Sequence, residues 1–277
     1  MSHSQPFAEL VSTAWLAANQ QHPEVLVFDC SMAKVVGKEP LLYDQLTVIR
    51  GAQQLHLEVD LVDHSAELPN TFPSANQVTE VLQRLGVNQH SQLVLYDNQG
   101  IYSAPRAWVI LKAMGLSHVA VLDGGLPQWL AEQRPTTTDY AAPRRQGNAV
   151  AHYDPSWLVS KAEVEASMHQ ATVGIVDARS AERFYGRKPE PRADMRSGHI
   201  PGSCNLPFTE LMQGYRFAAP EQLAEQFATL GLDHKQRLLF SCGSGITACI
   251  LLLAAQRAGI AARLQLYDGS WAEFGRI

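Results

Sequence analysis

Cysteine is scarce in this chain of 277 residues: there are four, Cys30, Cys204, Cys242 and Cys249, and no two stand in a CxxC pair. So few thiols in so long a chain exclude a disulfide framework and give no structural zinc site, so no metal and no other cofactor is expected. Long apolar runs are missing too. The longest, Ala248 to Ala255, is far short of the roughly 20 residues that cross a bilayer, so no membrane partner is expected. A basic excess is also absent. Lys and Arg total 22 against 27 Asp and Glu, for a net charge of -5, which leaves no positive field to gather a polyanion, so nucleic acid is not expected as a partner. Met1 to Gln20 lacks the basic start and long apolar core of a secretory signal, and a cytoplasmic location is expected.

What the chain does have is length enough for two domains, and an internal repeat that supplies them. Apolar residues at helical spacing, Val78, Val81, Leu82 and Leu85, end at Gly86, and the pattern returns as Leu223, Phe227 and Leu230 ending at Gly231, 145 residues later. At that offset Leu93 meets Leu238, Gly100-Ile101 meets Gly245-Ile246, and Asp123-Gly124 meets Asp268-Gly269. Upstream, VFDC at 27–30 answers IVDA at 175–178, and IRGA at 49–52 answers IPGS at 200–203. So long a unit is no solenoid repeat but a duplicated domain. The boundaries expected are 1–135 for the first domain, 136–151 for a Pro-, Thr- and Gly-bearing linker, and 152–277 for the second.

Each half alternates short β-rich runs with helical patterns. In the second half, strands are expected at 174–178, 237–241 and 264–268, with helices after Ser180, Pro220 and Gly245. That alternation defines an α/β fold with a mostly parallel sheet flanked by helices. Ligands bind such sheets beyond the carboxyl ends of the strands.

Cys242 stands at such an end, in FSCGSGITAC at 240–249. Glycines at 243 and 245 permit positive φ, and a nest of backbone N–H groups followed by a helix N-terminus favours negative charge. A sulfur there is either a packing residue at a strand end or a nucleophile. The first half has Asp97 at the matching position, so only the second copy can use sulfur chemistry. Cysteine-dependent phosphatases also set a cysteine before an anion cradle, with an arginine six positions on, but here that position is Ala248. The loop therefore suits one sulfur atom, carried as a persulfide, better than a tetrahedral oxyanion.

Several motifs resemble those of the two-domain rhodanese sulfurtransferases: CGSGITA at 242–248, VDAR at 176–179, GHIPGSCNLPF at 198–208, YDGSW at 267–271, and, in the first half, SAPRAW at 103–108 and LDGGLPQW at 122–129. The resemblance covers nearly the whole chain. It implies an α/β protein of two tandem rhodanese-like domains, the first inactive and the second catalytic, with the site between them. It also implies transfer of sulfur through Cys242 from a small donor, 3-mercaptopyruvate or thiosulfate, to cyanide, a small dithiol or a thioredoxin-like protein. A non-catalytic sulfur carrier on the same fold is the other class to separate, and turnover separates it. Relatives that prefer thiosulfate carry basic residues directly after the cysteine, where this chain has Gly243 and Ser244.

The loop residues expected around the persulfide are Gly243, Gly245, Ile246 and Thr247, with Thr247 a helix cap. Ser244 either relays a proton or bonds the loop backbone. By position the resemblance places the donor's carboxylate on Arg183 and Arg192, since a guanidinium grips a carboxylate through paired bonds. Spacing alone does not separate these two from Arg179 and Arg187, and Arg179 suits a structural role. Where the family carries a first-domain histidine before Pro-Gly, this chain has Val48 in TVIRGA, with Arg50 for the proline. His64 is the nearest candidate substitute, although an exposed loop position is the plainer reading. His199 is expected to hold a turn, Cys204 and Cys249 to be buried packing residues, and Trp129, Trp157 and Trp271 to be core or interface aromatics.

Overall fold

In the computed structural model, residues 7–277 are described, and residues 1–6 of the expected first domain lie outside them. The first half supplies β1 (Leu10–Val11), β2 (Val25–Asp29), β3 (Gln53–Gln54), β4 (Gln92–Tyr96) and β5 (Val119–Leu122), joined in the order β1-β5-β4-β2-β3. The second supplies β6 (Leu158–Val159), β7 (Val173–Asp177), β8 (Cys204–Asn205), β9 (Arg237–Ser241) and β10 (Arg263–Tyr267), joined as β6-β10-β9-β7-β8. The two orders are the same, and every pairing in both sheets is parallel. Central strands such as VGIVD are buried along their whole length, as expected for a sheet covered on both faces. Strands expected at 174–178 and 264–268 begin and end one residue earlier, within the fraying of strand ends.

Besides the single turn Leu57–Asp60, the α-helices among the described residues are α1 (Thr13–Asn19), α2 (Ala75–Arg84), α3 (Ala104–Ala113), α4 (Gly125–Ala131), α5 (Lys161–Ser167), α6 (Ala181–Phe184), α7 (Pro220–Thr229), α8 (Ala248–Arg257) and α9 (Ser270–Phe274). Helix α2 buries Val78, Val81 and Leu82 and is capped by Ser74, whose side chain accepts from the Gln77 N–H. Its counterpart α7 buries Leu223 and Phe227 in the same way. Helices α3 and α8 differ, having no face turned wholly to solvent. Nearly every residue of each is buried, because each lies between its own sheet and the other domain. Trp108 and Leu111 of α3 join Leu251 and Leu253 of α8 in one apolar cluster that runs through both domains. Burying a Leu or Ile side chain contributes roughly 1.5–3 kcal/mol, so this shared core holds the domains together strongly.

The segment expected as a linker is laid along the first domain. Thr136–Thr137 pairs with Val48–Ile49, Ala141 N–H donates to Ala52 O (2.8 Å), Gly147 N–H to Gln83 O (2.8 Å), and Asn148 and Ala149 N–H to Val87 O (3.0 and 3.1 Å). A Cβ on Gly147 would stand 2.0 Å from Val87 O, so only glycine permits that approach. The backbone N–H groups of His152 and Asp154 then donate to Met114 O and Ala113 O at the end of α3.

Candidate active site

Between the domains lies a cleft of about 240 Å³. The first domain lines it with Lys34, Glu58, Asn70 and Tyr102; the second contributes Arg183, Arg192 and the loop Cys242–Ser244 with Ile246 and Thr247. The loop leaves the carboxyl end of β9, so a sheet end, a helix start and a domain boundary coincide there.

The backbone behind Cys242 is fixed on one side. Trp271 N–H donates to Cys242 O (3.0 Å) and Ala272 N–H to Gly243 O (2.8 Å). Cys242 N–H donates to Ser270 Oγ (3.1 Å), whose hydroxyl donates to Tyr267 O (2.9 Å). Ser270 has φ +49, a left-handed conformation in a residue that is not glycine. It costs roughly 1 kcal/mol, and strain of this kind collects at functional sites. The other side of the loop is open. Among the described residues, the backbone N–H groups of Gly243, Ser244, Gly245, Ile246 and Thr247 donate to no protein acceptor. These unpartnered donors precede the ten-residue helix α8, whose N-terminus adds positive potential.

The two glycines of the loop do different things. Gly245 has φ +79, and a Cβ there would stand 2.9 Å from Asp268 O. Gly243 was expected to share that conformation but does not take positive φ. Its reason is space, since a Cβ would stand 3.0 Å from Arg183 Nη2. Thr247 does not cap α8, contrary to expectation. Its own backbone is already helical (φ -73°, ψ -18°) and its side chain accepts no cap bond, so the hydroxyl is left at the cleft.

Of four neighbouring arginines the fold brings two to the cleft. Arg183 is held by the buried carboxylate of Glu190, to which Nη2 donates at 2.5 Å and Nε at 3.3 Å. That leaves the edge formed by Nη1 and Nη2 for a ligand, the geometry that grips a carboxylate. Arg192 is more exposed and pairs with Asp194 (2.8 Å), holding that carboxyl below its usual range through a side-chain hydrogen bond. Arg179 is structural: fully buried, it bonds Asp177 (2.7 Å) and Glu190 (2.8 Å) and lies over the Trp271 ring. Arg187 lies over Tyr185 on the surface.

The other thiols are poor competitors. Burial pushes Cys249 up to about 12 and Cys204 up to about 11, so both stay protonated near neutrality. Cys204 is half-buried rather than buried as expected, because β8 is an edge strand. Tyr102 is likewise pushed up to about 12 by burial, with Cys242 and Asp97 adding to it, and stays a neutral phenol. No histidine lines the cleft among the described residues. His64 is exposed and bonded to Val59 O (3.1 Å), His199 bonds Phe184 O (3.0 Å), and Val48 is buried beside the Thr136–Thr137 strand. Trp129 and Trp271 are buried, and Trp157 meets Trp108 edge-on between the domains.

Sequence reasoning missed four residues that shape the site: Glu190, Asn70, Ser270 and the buried Arg106. Arg106 Nη1 donates to Asp268 Oδ1 (2.6 Å) and Gly245 O (3.3 Å), tying α3 to the loop across the domain boundary. The one available signal was that SAPRAW places an arginine in the first turn of a helix whose next five residues, Ala107 to Leu111, are all apolar.

Two sheets of identical strand order, with a cysteine under open amides in only one of them, define a sulfur-transferring enzyme made of two like domains. The rhodanese-like domain model matches residues 12–132 and again 160–276, and the chain belongs to the rhodanese family of sulfurtransferases. Among its relatives is the 3-mercaptopyruvate sulfurtransferase of Escherichia coli K12, 35% identical over 96% of this chain and 94% of that one. The mitochondrial thiosulfate/3-mercaptopyruvate sulfurtransferase 1 of Arabidopsis thaliana is 31% identical over 99% of this chain and 77% of its own. The crystal structure of SseA from Escherichia coli, a 3-mercaptopyruvate sulfotransferase, matches with a TM-score of 0.83 at 33% identity, covering 95% of this chain and 99% of that one. No helix among the described residues is long and apolar enough to cross a membrane.

Proposed function

We propose that this sulfurtransferase takes sulfur from 3-mercaptopyruvate, carries it as a persulfide on Cys242, and passes it to a thiol or to cyanide. The observation that carries the reading is the pairing, in one cleft, of five unpartnered loop amides around Cys242 with the free edge of Arg183. The donor's carboxylate sits on Arg183, with Arg192 beside it, and its sulfur faces Cys242. The thiolate of Cys242 attacks that sulfur, a new S–S bond forms, and the C–S bond breaks with its electron pair going to carbon. The resulting enolate of pyruvate takes up a proton, and the outer sulfur of the persulfide rests among the loop amides. Ser244, which lines the same cleft, donates a hydrogen bond to the donor's carbonyl oxygen as charge develops there. An acceptor thiolate then attacks the outer sulfur and returns Cys242. A small dithiol or a thioredoxin-like protein provides such a thiol, and four free cysteines suit a reducing compartment such as the cytoplasm. The first domain, with Asp97 in place of the cysteine, shapes the cleft but transfers no sulfur.

Thiosulfate is the second reading, favoured by Lys34 at the cleft, which offers a cation to a sulfonate. The ratio of kcat/KM for mercaptopyruvate to that for thiosulfate decides between them, and we expect it to exceed unity. With donor and no acceptor, the Cys242 peptide should gain about 32 Da, the mass of one transferred sulfur, and Cys242→Ser should gain nothing. Mass appearing on Cys30, Cys204 or Cys249 instead would overturn the assignment.

A further inference from the structure

We infer that Asn70 of the first domain is a positioning residue for sulfur transfer, clamping the Ser244 hydroxyl so that its proton is turned into the cleft. The inference rests on the sulfur-transfer reading of the Cys242 loop. Asn70 Nδ2 lies 3.2 Å from Ser244 O and 3.0 Å from Ser244 Oγ. A carbonyl oxygen can only accept, so the amide nitrogen must face it, and the same nitrogen then makes Ser244 Oγ an acceptor as well. With that lone pair taken, and no protein acceptor for the hydroxyl proton among the described residues, the proton points where a donor molecule would lie.

The clamp is itself held rigidly. Asn70 has φ +57, which asparagine tolerates better than most residues. Its carbonyl accepts from Arg106 Nη2 (2.5 Å), and Phe72 N–H donates to Asp268 Oδ2 (2.9 Å). Arg106 binds Asp268 from the opposite domain and is almost wholly buried. Asn70, Arg106, Asp268 and Ser244 thus form one bridge across the domain boundary. The titratable side chains at the cleft are Lys34, Glu58, Tyr102, Arg183, Arg192 and Cys242. None is a histidine, and the group that meets Ser244 is an amide that does not titrate. The orientation of the hydroxyl is therefore set by geometry and does not change with pH.

The test uses steady-state kinetics with mercaptopyruvate and, in parallel, thiosulfate, a dithiol as acceptor, from pH 5.5 to 9. Asn70→Gly and Asn70→Asp both keep the left-handed backbone, so neither should disturb the fold. With mercaptopyruvate each should lower kcat about 10-fold, with KM within about twofold. Asn70→Asp should lose more than Asn70→Gly across this whole range, because its carboxylate is already ionised at pH 5.5 and turns the hydroxyl proton toward itself. The double variant Asn70→Gly/Ser244→Ala should be no slower than Ser244→Ala alone, whereas a merely structural role would make the losses multiply. An active parent whose kcat is unchanged by Asn70→Gly, or losses that multiply, overturns this inference and leaves the sulfur-transfer reading standing. A parent inactive with both donors overturns the two together.

Discussion

The loop after the central strand occurs twice in this molecule, and the two copies solve opposite problems. In the first, Asp97 supplies its own anion: Oδ1 accepts from Gln99 N–H (2.9 Å), and Oδ2 from the N–H groups of Tyr102 (2.8 Å), Ser103 (2.9 Å) and Ala104 (2.9 Å). In the second, Cys242 stands at the same place and the amides of residues 243 to 247 have no protein acceptor among the described residues. The turn is shared, since Gly100 and Gly245 both have positive φ, +103 and +79. Duplication has kept the cradle and changed what lies in it: one copy spends its donors on stability, the other leaves them open, as the proposed transfer of sulfur through Cys242 requires. A second contrast follows the same line. Gly125 sits at φ +52 in the first domain without cost, and its counterpart in the second is Ser270 at φ +49, a strained serine whose hydroxyl holds the Cys242 backbone.

The contrast is sharpest where the Arg183 guanidinium overhangs the second loop at Gly243. If Arg183 holds the donor as proposed, Arg183→Ala removes a bidentate contact worth about 2 to 4 kcal/mol, so kcat/KM for mercaptopyruvate should fall roughly 30- to 1000-fold with thiosulfate turnover much less affected. An unchanged kcat/KM would remove Arg183 from donor recognition. Asp97→Ala should break the first loop instead. Four buried amides lose their acceptor, so urea unfolding should show a loss of about 2 to 3 kcal/mol while kcat/KM stays within about threefold. A variant that loses transfer but not stability would show that the first loop takes part in the chemistry. The smallest effect is expected for Ser270→Gly, which restores the first domain's choice. Relief of left-handed strain offsets the lost hydrogen bonds to within about 1 kcal/mol, while kcat/KM falls about 3- to 10-fold because Cys242 N–H is no longer held.

Much of this architecture is legible in the amino-acid sequence. The repeat, the ends of the three second-half strands to within a residue, and the loop and arginines that meet at the cleft all arise from local pattern: period, turn residues and the contrast of Cys242 with Asp97. What was not legible depends on the approach of segments far apart in the chain. Asn70 meets Ser244 across 174 residues, and Arg106 meets Asp268 across 162. No periodicity carries such pairings. Glu190 lies only seven residues from Arg183, yet nothing in PEPRAD says which way its carboxylate turns. The role given to Gly243 differed for a related reason, because the space it leaves is defined by a guanidinium from another element.

The strap from Thr136 to Asp154 has a mechanical consequence. Because its backbone is bonded at intervals to the first domain, and Trp157 lies against Trp108 just beyond, the two halves are joined by a splint rather than a tether. A hinged enzyme admits its substrate by swinging its halves apart, but here such a swing would have to tear open the continuous core between α3 and α8. Donor and product must therefore exchange through the mouth of a standing mould, by side-chain movements at its rim. Severing the chain within the strap should leave the two fragments bound to each other, with the cleft intact.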